Sequence, residues 1–497
     1  MTGLAVRAAG AAPQDELRVA SHVSLAPTWF DPAETPGIIT PFMLLYALHD
    51  ALMKGMPGNP AAPCLAESYT TAPDGRSYTF ALRKGVRFHN GEEMTAEDVK
   101  FSLERYRGAA SKSLKERVAR VDIHDSHRLT IHLHNPWPDF LTYYAGATGA
   151  GWIVPKKYVE KVGEDGFKKA PIGAGPYKFV SFTPGVELVC EAFEGYWRKK
   201  PSIRRLVFKV IPDEATRLAA LQRKEVDIAY SIRGELADEL LRTPGLTLNP
   251  AVSSAPFWLY FPEQWDAQSP WHDKRVRQAA SLALDRTTIN QALTMGHSHL
   301  TGSVFPENFE FYWQPPKPAY NPEMARKLLA EAGHQRGFDA GEYFCDASYA
   351  NIGEVVLNNL REVGIRVKLR PLERAAFFKA YSEKKFKNIV QGASGALGNC
   401  ATRAEAFVAK GGTYAYGSYP DIDTLFAEQA VQMDRTKRTE ILHRLQQLVH
   451  EKAMYAPIWQ LAFLSGVGPR VGQSGFGLIA GFAYTAPYED LTLKGQG

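Results

Sequence analysis

The sequence predicts an α/β protein of at least two domains with an additional α+β module. The chain has 497 residues, of which 45% are hydrophobic and 22% charged, and this length is too great for one hydrophobic core. Beyond residue 273, helical patterns alternate with short apolar strands, and this alternation is typical of a parallel sheet. Residues 56–169 differ, because turn residues there separate short strands.

The first predicted elements precede the module. Residues 16–21, ELRVAS, are predicted to form a strand, and a loop follows it around residues 26–32. A helix is predicted from about residue 41 to residue 52, where apolar side chains recur near helical spacing.

Hairpin and capping signals define the module at residues 56–169. Residues 78–82 alternate in polarity, and the turn sequence PDG precedes them at residues 73–75. Thr95 is a candidate N-cap for a helix whose first turn contains Asp98. A further strand pair is predicted at residues 121–124 and 129–133.

The second half of the chain is predicted to alternate helices and strands. Gly364 suits the left-handed C-cap of one helix because it has no Cβ. In parallel sheets, ligands bind at the loops that follow the carboxyl ends of strands. The predicted elements are a helix over 273–295, a helix over 325–332, a strand over 342–345, a helix over 352–363, a strand over 365–370, a helix over about 373–384 and a strand over 388–392.

Charge and hydropathy exclude two classes of protein. The net charge is +5, from 58 Lys and Arg against 53 Asp and Glu, and basic clusters such as residues 198–200 are short. A nucleic-acid-binding protein concentrates such charge in a stripe or helix, so no nucleic-acid partner is predicted. No apolar run of about 18 residues is present, so no transmembrane helix is predicted.

The first ten residues do not form a signal-peptide core, because the apolar run is short and Arg7 interrupts it. Two interpretations follow. An export signal was removed before this chain begins, or the protein stays inside the cell.

Cysteine and histidine spacing predicts no metal site. The four cysteines form no C-x-x-C pair, and no histidine lies at zinc spacing from them. Four buried thiols are predicted, with a Cys345–Cys400 disulfide as the alternative in an oxidising compartment. His132 and His134 are predicted to share one strand face, but two ligands do not make a site.

The motifs of common enzymes are absent, so no enzymatic activity and no cofactor are predicted. No G-x-S-x-G sequence frames a nucleophile. The glycines at positions 392, 395 and 398 resemble a phosphate loop but lack the Gly-Lys-Ser/Thr ending. The sequence GAG at residues 173–175 precedes a predicted strand, whereas a dinucleotide fingerprint precedes a helix.

An ordered set of motifs resembles the family 5 extracellular solute-binding proteins, which include the dipeptide-, oligopeptide- and nickel-binding components of ABC importers. The main motif is YTFALRKGVRFHNG at residues 78–91, with MTAEDV at residues 94–99. The resemblance covers nearly the whole chain. Further matches are PIGAGPY at 171–177, FEGYW at 193–197, IPDEATRLAAL at 211–221, WHDKRVRQA at 271–279 and YNPEMARKLLAEAG at 320–333.

The resemblance implies a two-lobed periplasmic-binding-protein-like clamp of type II with an extra α+β subdomain. It implies a monomer in the periplasm that captures a small-molecule ligand and delivers it to an ABC permease. The matched motifs are predicted to be scaffold, with Phe88 in a core and Gly85, Gly91 and Gly173 in tight turns. The predicted domains are lobe I at residues 17–55, 170–262 and 472–497, the subdomain at 56–169, and lobe II at 263–471.

The resemblance also implies four segments that contact the ligand. They are the loop after the first strand, the segment FWLYF at 257–261, the loop after the strand that ends at Gly392, and the segment around residues 414–416. The predicted ligand-binding residues are Trp29, Phe30, Trp258, Tyr260, Ser394, Asn399, Arg403, Tyr414 and Tyr416.

The third segment departs from the family pattern. Peptide-binding members read G-W-x-x-D there, and the aspartate pairs with the α-amino group of the peptide, whereas this chain has Ala393 and Ala396. The guanidinium of Arg403 suits a carboxylate or phosphate. We therefore expect an organic ligand with an anionic or polar head and an aromatic body. A peptide, a metal chelate and an intracellular sensor role are the alternatives.

Overall fold

The computed structural model describes residues 14–35, 39–395, 398–479 and 481–495. Its strands are β1 Glu16–Ser21, β2 Met53–Met56, β3 Asn59–Pro63, β4 Ala66–Thr71, β5 Ser77–Leu82, β6 Val118–Asp125, β7 Arg128–Leu133, β8 Tyr177–Thr183, β9 Glu187–Ala192, β10 Arg205–Val210, β11 Ile228–Ala229, β12 Thr247–Tyr260, β13 Phe338–Asp346, β14 Ile365–Leu372, β15 Ile389–Ala393, β16 Tyr455–Val467, β17 Val471–Gln473 and β18 Thr492–Leu493.

Fourteen α-helices of the described residues are interspersed with these strands along the chain. They are α1 Phe42–Leu48, α2 Ala96–Glu104, α3 Ser111–Arg117, α4 Lys156–Lys169, α5 Glu214–Gln222, α6 Gly234–Arg242, α7 Lys274–Leu282, α8 Arg286–Thr294, α9 Pro322–Glu331, α10 Ala350–Glu362, α11 Arg374–Ser382, α12 Cys400–Phe407, α13 Pro420–Gln429 and α14 Arg435–Glu451. None of these described helices combines the length and the apolar composition that crossing a membrane requires.

Ten strands form one sheet in the order β14-β13-β15-β12-β16-β11-β1-β10-β9-β8. The two long strands β12 and β16 pair antiparallel at its centre, and every residue of β16 is buried. Strand β12 continues the pairing to β15, and β16 continues it to β11. We call the part built on β11, β1, β10, β9 and β8 lobe I, and the part built on β14, β13 and β15 lobe II. The predicted domain boundaries stay a prediction.

Each lobe contains parallel strands. Strand β1 runs parallel to β10 and β11 in lobe I, and β13 runs parallel to β14 and β15 in lobe II. The parallel pairing predicted for the second half is confirmed. Because of this direction, the carboxyl ends of three strands meet at one edge in each lobe.

The predicted α+β module contains a separate sheet. It has four antiparallel strands in the order β4-β5-β7-β6 and a hydrophobic core of its own. The predicted N-cap is confirmed, because the Asp98 carboxylate accepts hydrogen bonds from the Thr95 amide at 2.8 Å and from the Thr95 hydroxyl at 3.0 Å. The module therefore begins its first helix with a reciprocal cap.

Two local predictions are wrong. The single helix expected over 273–295 is two helices, because the Asp285 side chain caps α8 and the Arg286 guanidinium donates to the Ser281 and Leu284 carbonyls in the break. His132 and His134 do not share a strand, since β7 ends at Leu133.

The predictions about the cysteines and about a metal site can be compared with the structure. All four cysteines are free and buried, and burial raises the pKa of the Cys345 thiol to about 12. The alternative Cys345–Cys400 disulfide is not formed. Within the described ranges, no three His, Cys, Asp or Glu side chains form a group that could hold a metal ion.

Hydrogen bonds join the motif at residues 78–91, which contains His89, to the PIGAGPY motif at residues 171–177. The His89 amide donates to the Gly173 carbonyl at 2.9 Å, the ring Nε2 lies 3.0 Å from the Gly175 carbonyl oxygen, and the Gly173 amide donates to ring Nδ1 at 3.3 Å. Because Nδ1 accepts a hydrogen bond, the ring is neutral. Phe88 is 1% exposed, so its predicted core position is confirmed.

The glycines of these motifs serve two purposes. Gly85 and Gly91 have φ values of +73° and +88°, which confirms their predicted turn positions. Gly173 differs, because a Cβ there would lie 2.1 Å from the Leu48 carbonyl oxygen. Close backbone approach, rather than a tight turn, explains that glycine.

The free energy of unfolding is expected to fall as the pH drops below about 6.5, partly through His89. Burial lowers the pKa of His89 from 6.5 to about 3, although its hydrogen bond to the Gly175 carbonyl opposes this. Between these values the unfolded chain binds a proton that the native ring does not, so stability falls by about 1.4 kcal/mol per pH unit. Urea unfolding of the wild type and of His89→Gln between pH 7 and pH 4.5 measures this, and the variant should show the smaller loss.

The control for this prediction is His297→Gln, because the His297 side chain is exposed. Its pH profile is expected to match that of the wild type. An equal pH dependence in the wild type and in His89→Gln would contradict the assignment.

Candidate functional site

The loops at the carboxyl ends of the parallel strands face each other across a cleft between the lobes. In lobe I, His22 follows β1 and Arg233 follows β11. In lobe II, Arg374 begins the helix after β14, and Ser394 follows β15. The Arg374 guanidinium crosses the cleft and donates to the Thr40 hydroxyl of lobe I at 3.0 Å. The cleft therefore lies where the parallel-sheet prediction expects a ligand.

The largest cavity in this cleft has a volume of about 750 Å³. Lobe I contributes Leu25 and Trp29 to its wall, and lobe II contributes Phe378 and Tyr414. A cavity of this size, with apolar walls and a few polar groups, is typical of a site for a small organic molecule.

Two smaller cavities adjoin the largest one. A cavity of about 360 Å³ lies between the module and lobe II, and it shares Tyr414 with the central cavity. A chamber of about 240 Å³ lies on the other side, and it shares His22, Pro212 and Ser348 with the central cavity. The central cavity thus shares wall residues with a neighbouring cavity on each side.

An ion pair lies at the base of the cleft. Arg374 Nη1 is 2.5 Å from Asp346 Oδ2, and this carboxylate also accepts a hydrogen bond from the Ser348 amide at 3.0 Å. The hydroxyls of Tyr349 and Tyr484 lie 2.7 Å apart and join the two lobes. The base of the cleft is therefore polar and largely buried, in contrast to the apolar walls.

His22 lies among cationic side chains. Burial lowers the pKa of His22 well below 6.5, and the charges of Arg217, Arg374 and Arg233 lower it further. The imidazole is therefore neutral at physiological pH, with one nitrogen that is able to donate a hydrogen bond and one that is able to accept one. Its ring packs against Tyr484 with the centroids 4.6 Å apart.

Four of the residues predicted from sequence line these cavities. Trp29 lines the central cavity and Tyr414 lines both the central and the 360 Å³ cavity, which Ser394 and Arg403 also line. Their contact with a ligand stays a prediction.

The other five predicted residues lie outside the walls of these three cavities. Phe30 is fully buried against Phe179 and Phe182. Asn399 caps α12 and donates to Asp139 at 2.6 Å. Trp258 and Tyr260 lie in the core of lobe II, and Tyr416 packs against that core.

Arg403 is surrounded by protein groups. It is 3% exposed, its guanidinium donates to the Ser394 carbonyl at 3.1 Å, and it contacts the ring of Phe407 with its Cζ 5.4 Å from the centroid. Burial lowers the pKa of Arg403 to about 9. Its role as an anchor for an anionic head stays a prediction.

His22, Arg233 and Arg374 are not among the ligand-binding residues predicted from the sequence. Two of them had a usable signal, because His22 directly follows the predicted strand at 16–21 and Arg374 lies at the start of the helix predicted after the strand at 365–370. The rule that ligands bind at the carboxyl ends of parallel strands would have selected both. Arg233 had no such signal, because it does not directly follow the two-residue strand β11.

Comparison with known proteins agrees with this architecture. Residues 61–415 match the model of the bacterial extracellular solute-binding proteins, family 5 Middle. The Dipeptide-binding protein of Escherichia coli K12 is 26% identical over 442 residues, which cover 79% of each chain. The Nickel-binding periplasmic protein of the same strain is 26% identical over 503 aligned residues, which cover 95% of this chain and 94% of that protein.

A solved structure extends the agreement to the fold. The PBP AgaA of A. tumefaciens R10, in complex with agropinic acid, has a TM-score of 0.80 and 24% identity, with coverage of 96% of this chain and 98% of that chain. This likeness confirms the two-lobed α/β fold class that the sequence predicts. Because the family match covers more than half of the chain, the chain belongs to the family 5 bacterial extracellular solute-binding proteins and is the substrate-binding component of an ABC importer.

Proposed function

We propose that the cleft captures a small organic solute with a polar or anionic head and an aromatic or apolar body. The observation that carries this proposal is the cavity of about 750 Å³ between the lobes. Trp29 and Phe378 give it apolar walls, and Arg374 and His22 give it a polar base. A solute with two such ends would satisfy both surfaces when the lobes enclose it.

A generic peptide is a poorer fit to this chain. Ala393 stands where peptide-binding members of the family have a tryptophan, and it offers no polar group to a ligand. Ala396, which stands where they have the aspartate, lies outside the described residues. Without that aspartate, a peptide α-amino group loses the carboxylate that would pair with it.

We also propose that the protein works as a monomer outside the cytoplasmic membrane and carries no catalytic activity. The relatives are named as binding proteins, and one is named as periplasmic. A clamp that closes on its solute would present the loaded form to the membrane permease. Its function would then depend on a hinge motion and would need no chemical reaction.

Organic acids with an aromatic body are expected to raise the melting temperature, whereas ordinary dipeptides are not. A ligand at about a hundred times its dissociation constant adds about 2.7 kcal/mol of stability. A thermal-shift screen with aromatic and aliphatic acids, opines, dipeptides and metal chelates measures this, and isothermal titration gives the affinity of each hit.

Matched variants locate the binding. Trp29→Ala removes a wall of the central cavity and should weaken the hit, while Tyr69→Ala changes an exposed aromatic residue on the module and should not. Micromolar binding of alanyl-phenylalanine, with no response to any acid, would overturn the proposed ligand class.

A further inference from the structure

The chamber of about 240 Å³ next to the central cavity is lined mainly by polar groups. It is built from the ends of β1, β10, β11 and β13, so both lobes contribute. Besides the three residues that it shares with the central cavity, its lining consists of Asp213, Glu214, Arg217, Arg233, Ala347, Ala350 and Asn351.

Two residues that line this chamber, His22 and Arg233, carry buried hydrogen-bonding atoms without partners among the described residues. His22 is 5% exposed, and neither ring nitrogen has a hydrogen-bond partner among the described residues. Arg233 is 8% exposed, and its Nε and Nη1 likewise find no acceptor in the described part of the chain. Buried polar groups in native proteins are normally hydrogen-bonded, so unpaired donors on two neighbouring side chains favour a ligand that accepts hydrogen bonds.

The carboxylates nearby already have donors. Glu214 accepts from the Arg233 backbone amide at 2.5 Å and lies 3.4 Å from Arg233 Nη2. Asp213 accepts from the amide and the hydroxyl of Thr216, at 2.8 Å and 2.6 Å. Each of these carboxylates is therefore already held by donors of the protein.

The charge of Arg217 acts in the same direction. Its guanidinium donates only to backbone carbonyls, those of Ile211, Pro212, Tyr230 and Ser231. These acceptors are neutral, so they satisfy its hydrogen bonds without cancelling its charge, and the carboxylates of Glu214 and Asp213 offset part of that charge. The chamber thus combines unpaired donors with an adjacent buried cation, which is the environment that an oxyanion prefers.

We propose that this chamber holds the oxyanion head of the transported solute, a carboxylate or a phosphate, with His22 and Arg233 as its hydrogen-bond donors. This inference rests on the proposed function, because the body of the same solute would occupy the central cavity. It assigns the head to a different place from Arg403, which lies in the 360 Å³ cavity on the far side of Tyr414.

The test uses acetate and inorganic phosphate as probes of the head alone. Both are titrated against the wild type, His22→Phe and Arg233→Met, and the shift in melting temperature gives a half-saturating concentration. His22→Phe keeps an aromatic ring against Tyr484 and removes both nitrogens, so it should fold normally. We expect each variant to raise the half-saturating concentration at least about tenfold. A tenfold change corresponds to about 1.4 kcal/mol, which is close to the loss of one charge-assisted hydrogen bond.

Controls separate this site from general salt effects. Arg223→Met removes an arginine whose side chain is 58% exposed and should leave the titration unchanged, and Arg403→Met tests the other cavity. The probe with the lower half-saturating concentration identifies the head as a carboxylate or a phosphate. Identical titrations for the wild type and His22→Phe, or a loss only in Arg403→Met, would overturn the inference.

The two proposals can fail separately. If the chamber binds phosphate or acetate in the expected way but no solute in the screen binds, only the proposed ligand class fails. If a solute binds the cleft with the same affinity in the wild type, His22→Phe and Arg233→Met, only the placement of the head fails.

Discussion

Arg277→Met is expected to lower the free energy of unfolding by about 3 to 5 kcal/mol. Arg277 lies in α7 of lobe II and is 2% exposed. Methionine fills part of its volume but donates no hydrogen bond, so buried carbonyl oxygens lose their donor. The acceptors that it serves are the backbone carbonyls of Trp271, His272, Lys452 and Ala453. Urea unfolding followed by tryptophan fluorescence measures the loss.

Arg275→Met is the matched control two residues away on the same helix. The Arg275 side chain is 46% exposed and pairs with Asp273 at the surface. An exposed ion pair contributes about 1 kcal/mol or less, so this variant should unfold close to the wild type. Equal losses from both variants would mean that the carbonyl contacts of Arg277 do not stabilise the fold.

The elements set by local chemistry could be predicted from the sequence. The first strand was expected at residues 16–21 and is Glu16–Ser21, and the cap at Thr95 is formed with Asp98. Alternating side chains, turn residues and capping pairs act over a few positions, so they are visible in a short segment. The parallel strands of lobe II followed from the same kind of local pattern.

The central pair of strands could not be predicted in this way. Strands β12 and β16 are far apart in the chain, and their pairing depends on contacts that only the folded protein brings together. Local patterns predict one continuous helix over 273–295, whereas the structure has a break there. The Asp285 side chain caps α8, and the buried Arg286 guanidinium donates to the carbonyl of the distant Pro457 at 2.8 Å. Both features depend on tertiary contacts, which override local propensity.

The residues of the candidate site were also only partly predictable from the sequence. Trp258 and Tyr260 are predicted to contact the ligand because the family resemblance places the aromatic segment 257–261 at the cleft, and in the structure they lie on one face of β12 in the core of lobe II. Phe257 and Leu259 lie on the opposite face in the main core, so this strand is buried on both sides. An aromatic run therefore does not distinguish a binding wall from a central strand. His22 and Arg374 are single polar residues, and only their position at strand ends marks them.

Asp139→Leu is expected to shift the protein to an open form by removing a contact between the module and lobe II. Asp139 in the module and Arg438 in α14 are each 4% exposed and form an ion pair, and Asn399 donates to the same carboxylate at 2.6 Å. Without Asp139, the buried charge of Arg438 has no counter-ion, which costs about 3 to 5 kcal/mol. Separation of the lobes returns Arg438 to water, so opening relieves this cost.

Small-angle X-ray scattering should therefore give a larger radius of gyration for Asp139→Leu than for the wild type, with a lower melting temperature. The double variant Asp139→Leu, Arg438→Met removes both charges, and an apolar pair of similar volume commonly matches a buried ion pair in stability. We expect the double variant to return most of the way to the wild-type radius. Asp122→Asn, which changes a partly exposed module carboxylate paired with Arg120, is the control and should not open the cleft.

An unchanged radius in Asp139→Leu would mean that other contacts hold the lobes together. Several of these join Glu405 of lobe II to the module, since its carboxylate accepts from the hydroxyls of Ser113 and Tyr143 and lies 3.5 Å from Arg117. These contacts are more exposed than the Asp139 pair, so water can replace them at lower cost. For this reason we expect the buried Asp139–Arg438 pair, rather than the contacts of Glu405, to determine the equilibrium between the open and closed forms. A solute bound in the cleft would shift this equilibrium further toward the closed form.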